Sequence, residues 1–433
     1  GKMKLFQQML VAGASLSLIA PIAAQASDVV NIEEMNSYSR SEKKSSRIDS
    51  KTFSNQVSED IANLKGRLDG LEVRQNEFEA GSFSDTTTLD GKAVMWIGAV
   101  DGADEIGESE TVQTGYTYTM NLNTSFTGDD NLYVRLKAGA NGDVWDERST
   151  YHIETKDTGD EFRVDKMWYT FPIGDNITAF VGPRIENYYM YITPSIYKPG
   201  ALKSFKLGGN SNFGASTDVG FGFKYEADNG FGFASNLVDK NADGAGSRAG
   251  LLGDHSVRKW DTQIAYTADR WHVSAFITDF QNWTSHSYNA TTLARQVATD
   301  GTGYSLRAYW MPEESGTAVP EISVGYDNKS YEDVTVAGEV TQADSYMVGL
   351  TWKDMIQPDD RIGLAFTQPL KATEFREGGA APNEVDPFIW EAYYAFKPND
   401  SMEIRPAIFG GTDVMADDQD DLFGVLTTAT FKF

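Results

Sequence analysis

From residue 88 to the last residue the hydrophobic positions recur with a period close to two, the signature of strands with two unlike faces. Sixteen segments carry it: 88–100, 112–127, 130–140, 161–173, 176–186, 217–227, 229–238 and 259–268 in the first half. The second half adds 270–280, 302–312, 319–328, 343–353, 360–369, 386–397, 400–411 and 420–433. The connections alternate in length. Short ones carry turn chemistry, as in Gly128-Asp129-Asp130, Gly174-Asp175-Asn176, Asp228-Asn229-Gly230, Asp269-Arg270 and Pro398-Asn399-Asp400. Long ones lie near 101–111, 141–160, 187–216, 239–258, 281–301, 329–342, 370–385 and 412–419. Short turns on one side and long loops on the other fit an outer-membrane barrel, with the turns facing the periplasm. A soluble all-β domain is the competing reading.

The composition of the two faces separates these readings. Leu132, Val134, Leu136 and Ala138 alternate with Tyr133, Arg135 and Lys137. Tyr346, Val348, Leu350 and Trp352 share one face of their strand, and Phe388, Trp390, Ala392, Tyr394 and Phe396 share another, opposite Glu391. Aromatics gather near the strand ends, as in interfacial girdles. The opposite faces carry Arg135, Lys137, Arg163, Asp165, Asp261, Arg307, Glu391, Glu403 and Arg405. Packing these charges into a closed dry core would cost on the order of several kcal/mol each. A water-filled lumen removes the cost, and sixteen strands enclose one where eight would be filled by side chains.

Before residue 88 the period changes. Val57, Ile61, Leu64, Leu68, Leu71, Gln75 and Phe78 follow a 4-3-4-3-4-3 spacing, a heptad seam flanked by charge. Gly66 and Gly70 each lower intrinsic helicity by about 1 kcal/mol, so this helix needs partners. An amphipathic helix packed on its own domain is the alternative. Lys4, the apolar run Met9 to Ala24 and the site Ala24-Gln25-Ala26 read as a secretory signal cleaved before Ser27. The expected organisation is therefore a signal at 1–26, a polar linker at 27–52, a coiled coil at 53–80, a hinge at 81–87 and a barrel at 88–433. The fold class is all-β: a 16-stranded antiparallel transmembrane barrel preceded by a short periplasmic coiled-coil helix.

Composition narrows the function classes. The 433 residues include no cysteine and carry a net charge of -26, so a nucleic-acid partner, which needs a basic footprint, is excluded. Mean hydropathy is -0.40, and nothing after residue 30 approaches the ~18 consecutive apolar residues of a membrane helix. No G-x-S-x-G or H-E-x-x-H occurs, and GAGSRAG at 244–250 misses dinucleotide-fingerprint spacing, so no enzyme, cofactor or metal centre is expected. Three of the four histidines, His152, His255 and His286, fall in or beside long loops, and His272 lies on a strand. The acidic stretches Asp101–Glu110 and 415–421 are oxygen-rich enough for divalent ions, but solvated acids are the commoner reading.

The helix LDGLEVRQNEFEA, the hinge FSDTTTLDGKAV and the Phe-terminated sixteen-strand pattern together resemble the cyanobacterial outer-membrane porins. Those are related to the carbohydrate-selective porin family and include iron-uptake porins. FRVDKMWYTFPIG (162–174) and FVGPRIENYY (180–189) resemble that family's fourth and fifth strands. The resemblance implies a channel for passive diffusion of sugars, inorganic ions, anionic nutrients or iron, with envelope tethering as a rival role. It implies partners too: outer-membrane lipid, a homotrimer, and peptidoglycan through the helix. The usual wall-binding domain is absent, since VVNIEEMNSYSR resembles only its beginning. The terminal Phe433 resembles the signal read by the barrel-assembly machinery.

In proteins of this resemblance the third loop folds into the barrel and narrows it. Here that loop is 187–216, and its charges are Lys198, Lys203 and Lys206. With Arg135, Lys137, Arg163, Arg184, Arg307 and Arg405 they are expected to form a basic constriction, with Asp165, Glu391 and Glu403 as counter-charge. Ordinary solvated lumen residues without selectivity are the alternative. The trimer helix is expected to use Val57, Ile61, Leu64, Leu68, Leu71 and Phe78.

Overall fold

A computed structural model of the chain describes residues 82–84, 86–102, 110–140, 157–209, 212–213, 217–240, 242, 250–283, 299–378, 386–413 and 421–433. The expected signal, linker and heptad residues Val57, Ile61, Leu64, Leu68, Leu71 and Phe78 lie outside the described residues. A three-residue strand, β1 (Ser82–Ser84), falls within the expected hinge and pairs antiparallel with Thr87 and Thr88.

All sixteen expected strands are present. They are β2 (Thr87–Asp101), β3 (Gln113–Thr124), β4 (Asn131–Ala140), β5 (Arg163–Ile173), β6 (Ile177–Glu186) and β7 (Thr217–Glu226). Then come β8 (Phe231–Asp239), β9 (Arg258–Thr267), β10 (Trp271–Trp283), β11 (Thr299–Trp310) and β12 (Glu321–Tyr331). The last are β13 (Val340–Lys353), β14 (Arg361–Phe375), β15 (Phe388–Asn399), β16 (Met402–Thr412) and β17 (Leu422–Lys432). Each pairs with its sequence neighbour, and β17 closes on β2 from Phe423↔Asp101 to Lys432↔Lys92. Closure leaves no unpaired edge, the condition for strands in a bilayer. Phe433 extends the seam: its carbonyl accepts the Gly91 amide at 2.9 Å and its ring stacks on Tyr118 at 5.6 Å.

Strand alternation is inverted relative to a soluble protein. Along β9 to β11 the exposed row is apolar, with Ile264, Ile277 and Leu306 more than half exposed. The alternate row is polar and buried: Asp261, Gln263, Thr278 and Arg307. An apolar outer band with a polar inner surface suits a lipid surround.

Five strands run three or more residues beyond an expected end: β10, β11, β12 and β13 by three, and β14 by six. β14 continues six residues beyond the expected end at 369, and β13 starts at Val340 rather than 343. Pro369, which has no N–H to donate to a ladder, lies within the longer β14. It falls where the β13–β14 register shifts, between Tyr346↔Gln368 and Asp344↔Lys371, so no ladder bond is demanded of it. Beyond it Tyr331, Val334, Val340, Leu370 and Ala372 bury one another.

Two short-turn connections are closed by one device. Asp130 accepts hydrogen bonds from Ser125 Oγ, the amides of Phe126 and Thr127 and the Tyr169 hydroxyl, at 2.6 to 2.9 Å. Asp360 accepts the amides of Met355, Ile356 and Gln357 and the Tyr394 hydroxyl, at 2.9 to 3.0 Å. The Tyr169 hydroxyl and the Thr127 amide hold Asp130 well below the usual carboxylate range. At Asp360 burial pushes upward, but the three amides and Tyr394 outweigh it and the net shift is downward. Each group stays ionised to lower pH in the folded protein than in the unfolded chain. Its stabilisation is therefore present above the ordinary carboxylate pKa of about 4 and fades as pH falls below it. Asp360→Asn should lower the temperature at which the folded band is lost on a heat-shift gel at pH 7. The gap to wild type should close below pH about 4, and a gap independent of pH would show that the charge is not the cause.

Candidate functional site

The loop between β6 and β7 lies against the polar inner face of the barrel. It begins with a 3-10 turn at Asn187–Met190 and later forms a second at Lys203–Gly208. Each stage of its path is fastened to a wall residue. Asp261 on β9 accepts the Asn187 side-chain amide at 3.1 Å, the Tyr191 hydroxyl, and Thr278 at 2.7 Å. Gln263 grips Ile192 twice, accepting its amide at 2.9 Å and donating to its carbonyl at 2.8 Å. The Tyr197 amide donates to Ser323 on β12.

The strongest attachment is Glu391 on β15. Its carboxylate is fully buried and accepts the amides of Gly200, Ala201 and Leu202 at 2.7, 2.9 and 2.9 Å, together with the Tyr197 hydroxyl at 2.8 Å. Beside it Tyr393 donates to the Lys198 carbonyl at 2.7 Å. On the far side Arg307 of β11 donates from Nε to the Leu207 carbonyl at 2.8 Å, while its outer nitrogen meets both oxygens of Asp327 at 2.9 and 3.0 Å. Asn212 then donates to the Asn328 carbonyl, and Phe213 stacks on Phe276 at 3.7 Å with Arg307 over its ring.

The apolar underside of the loop, Tyr197, Ala201, Leu202 and Phe205, packs on inward-facing Trp96, Met347, Ile389, Phe409 and Leu426. Glycine allows the backbones to meet: a Cβ at Gly325 would lie 1.8 Å from the Gly208 carbonyl oxygen. A larger side chain there is incompatible with the loop's position.

The expected constriction residues divide by position. Lys198 is exposed on the loop, and Lys203 and Lys206 are half-buried, with Lys206 Nζ 3.7 Å above the Tyr188 ring. Arg135 points inward, but in a four-charge cluster: it lies 3.3 Å from Glu186 and 3.9 Å from Asp165, while Lys166 lies 3.5 Å from Glu186. Arg135 also donates to the Tyr189 hydroxyl at 3.1 Å. Lys137 and Arg163 sit opposite each other toward the loop end, and Arg163 pairs with Glu161. Arg405 lies on the inner face with Glu403 at 3.7 Å.

Three expectations change. Arg307 is 2 % exposed and committed to Asp327 and Leu207, so it clamps the loop and does not meet the lumen. Glu391 is likewise a clamp and supplies no counter-charge to a solute. Arg184 pairs across the strands with Met167, which pairs with Val134 on the lipid-facing row, so it lies outside the lumen. The cause is an extra β6 residue between Val181 and Arg184, which reverses the alternation.

A second bulge hid a residue from the pattern. Between Arg135↔Lys166 and Leu136↔Val164 the strand β5 carries one residue more than β4. Strict alternation sends Asp165 inward and Lys166 outward; the bulge brings both to the cluster. Arg361, 3.0 Å from Glu403, is a further inner-face cation that was not among the expected constriction residues, although the segment 360–369 contains it. Among the described residues no group of three metal-ligating side chains could hold an ion. Of the acidic stretches, 103–109 and 414–420 lie outside the described residues.

Comparison with known proteins agrees with the geometry. The family model described as "Carbohydrate-selective porin, OprB family" matches residues 44–409. An uncharacterized protein of Nostoc sp. (strain PCC 7120) is 27% identical over 426 residues, covering 87% of this chain and 71% of the relative. An uncharacterized Synechocystis protein is 24% identical over 383 residues, covering 81% and 69%. Among solved structures, Pseudomonas putida OprB in its high-pH form aligns with TM-score 0.57 and 11% identity, over 80% of this chain and 94% of its own. An anion-selective porin from Comamonas acidovorans aligns with TM-score 0.51 and 11% identity, over 80% and 99%.

Removing the Glu391 carboxylate would leave three amides and a hydroxyl unanswered, each costing about 1–3 kcal/mol if it stays buried. Glu391→Ala, and independently Gly325→Val, should detach the loop. Single-channel conductance should then rise, and proteolysis after Lys198 or Lys203 should become fast. Wild-type conductance in both variants would show that the loop does not narrow the channel.

Proposed function

The chain belongs to the OprB family of carbohydrate-selective porins and is a passive outer-membrane channel for small solutes, and we propose that its third loop forms a basic constriction favouring anionic over cationic ones. The observation that carries this reading is Lys198. It is exposed on a loop whose backbone is held by Tyr393 at the Lys198 carbonyl and by Glu391 at the Gly200 amide, which supports a fixed position for its charge. Lys203 and Lys206 add to it from the same loop, and Arg405 and Arg361 from the wall. The Arg135 and Lys166 cluster adds little, because Asp165 and Glu186 neutralise it. Rings of side-chain charge set ion preference in this way. Family and fold indicate a channel rather than an enzyme.

The family's name supports sugars among the solutes. A sugar crosses by size and hydrogen bonding and is indifferent to the sign of the constriction, so both solute classes are compatible with one pore. The heptad segment at 57–78 is proposed to trimerise in the periplasm, where it also has the reach to contact peptidoglycan. The family match supports this segment as part of the protein's working design, since it begins at residue 44 and takes it in.

Reversal potentials in planar bilayers under a salt gradient test the constriction. Wild type should prefer chloride, and Lys198→Glu should move the potential toward the potassium value. A cation-preferring pore indifferent to Lys198→Glu would overturn the proposal. Deleting residues 53–80 tests the helix separately: monomers of unchanged single-pore conductance are expected, and intact trimers would remove the helix from assembly.

A further inference from the structure

Near the short-turn end of the barrel, one carboxylate serves two guanidinium groups. Glu403 on β16 lies 3.0 Å from Arg361 Nη2 with one oxygen and 3.7 Å from Arg405 Nη1 with the other. The remaining donors are left over. Arg405 Nε and Nη2 and Arg361 Nε are enclosed and have no hydrogen-bond acceptor among the described residues. Arg405 is 7 % exposed, so these are buried donors, the class of group that folded proteins rarely leave unanswered. Nε and Nη2 of Arg405 lie along one edge of the guanidinium. That edge is the fork that matches two oxygens of a carboxylate or phosphate.

The surroundings are positive. The exposed Lys198 lies within electrostatic reach of Arg361, Lys353 and Lys432, with Glu403 as the balancing carboxylate. Lys353 is paired with Glu321 at 2.6 Å. Lys198, Lys353, Arg361, Arg405 and Lys432 thus stand against Glu321 and Glu403. Glu403 sits on Arg405 Nη1 and Arg361 Nη2 rather than on the Nε–Nη2 edge, and its negative charge opposes a second anion at the guanidinium pair, so it acts as a resident competitor.

We propose that Arg361 and Arg405, bridged by Glu403 and within electrostatic reach of the exposed Lys198, form a binding station for a small oxyanion: phosphate, or the phosphate or carboxylate of a larger solute. Neutral hydroxyls cannot balance two guanidinium charges, so an uncharged sugar is not held there. The station rests on the constriction reading, but it adds saturable binding where that reading requires only a charge preference. The two fail separately, since reversal potential reports the preference and concentration-dependent block reports the station.

The test is single-channel current through the purified protein in potassium chloride at fixed ionic strength, with inorganic phosphate added. Current should fall saturably as phosphate rises. The half-blocking concentration should rise by roughly tenfold or more in Arg405→Gln and in Arg361→Gln, the scale of a lost hydrogen bond to a charged group. Glu403→Gln should lower it, because the competitor is gone. Glucose 6-phosphate and gluconate in place of phosphate distinguish a phosphate or carboxylate carried on a solute from free phosphate, and glucose should leave the current unsaturated. Block that never saturates, or that is unchanged in both arginine variants, overturns the station. So does a Glu403→Gln variant that binds phosphate no more tightly than wild type. Lys198→Gln, on the loop surface and outside the strands, supplies a variant that leaves the barrel intact. It should weaken block by slowing entry, and unaltered block in that variant also counts against the station.

Discussion

The structure depends on a carboxylate that has no contact with water. Glu391 sits on the inner wall of a tube wide enough to be wet, yet it is fully enclosed, because the third loop brings three amides and a hydroxyl to it. A buried carboxylate without partners would cost far more than the folded state has to spare. A loop segment whose amides point away from any helix or ladder would be equally expensive. Each solves the other's problem. The attachment is therefore closer to an all-or-none fit than to a flexible drape, and the same logic recurs at Asp261, Gln263 and Arg307.

This mutual dependence sets what the lumen can do. Wall residues that answer the loop are withdrawn from the solute: Arg307 is spent on Asp327 and Leu207, and Asp261 on Tyr191, Asn187 and Thr278. The cations that remain for a solute are those the loop carries on its other surface, above all the exposed Lys198, and wall residues not consumed by the loop, such as the partly exposed Arg361. In the proposed reading, selectivity depends on the geometry of loop attachment rather than on the number of charges on inner-facing positions.

That distinction explains what was legible in the sequence. Period-two alternation found every barrel strand, because the inner and outer faces meet solvents of opposite character and the residues must follow. It assigned Leu132, Val134 and Leu136 to lipid and Arg135 and Glu391 to the interior, and the cross-strand register agrees. It could not say what stands opposite an inner residue. Glu391 and Arg307 look identical in sequence to solvated lumen charges, since the loop that covers them lies nearly 200 and 100 residues away. Alternation also fails where the pleat does. Arg184 was placed on the wrong face and Lys166 went unnamed because each lies beside an extra residue that the neighbouring strand does not match. No composition signal marks such a bulge, although the Gly182-Pro183 pair beside Arg184 is the kind of break that accompanies one.

The glycines along the inner wall complete the argument. Gly325, Gly349 and Gly363 weaken the strands that contain them, and β propensity alone gives no reason for them. Each faces an approach that no other residue admits: the Gly208 carbonyl at Gly325, the Tyr197 ring at Gly349 and the Tyr393 ring at Gly363. Tyr197 and Tyr393 are the two hydroxyl groups that bind Glu391 and the Lys198 carbonyl, so the glycines cut the seat in which the clamp is set. Local strand stability is given up at these positions in return for a loop held close enough to the wall to leave an open but narrowed lumen. Lys198, exposed on the loop's other surface, has its backbone held by Tyr393, and it is the residue on which the proposed constriction depends.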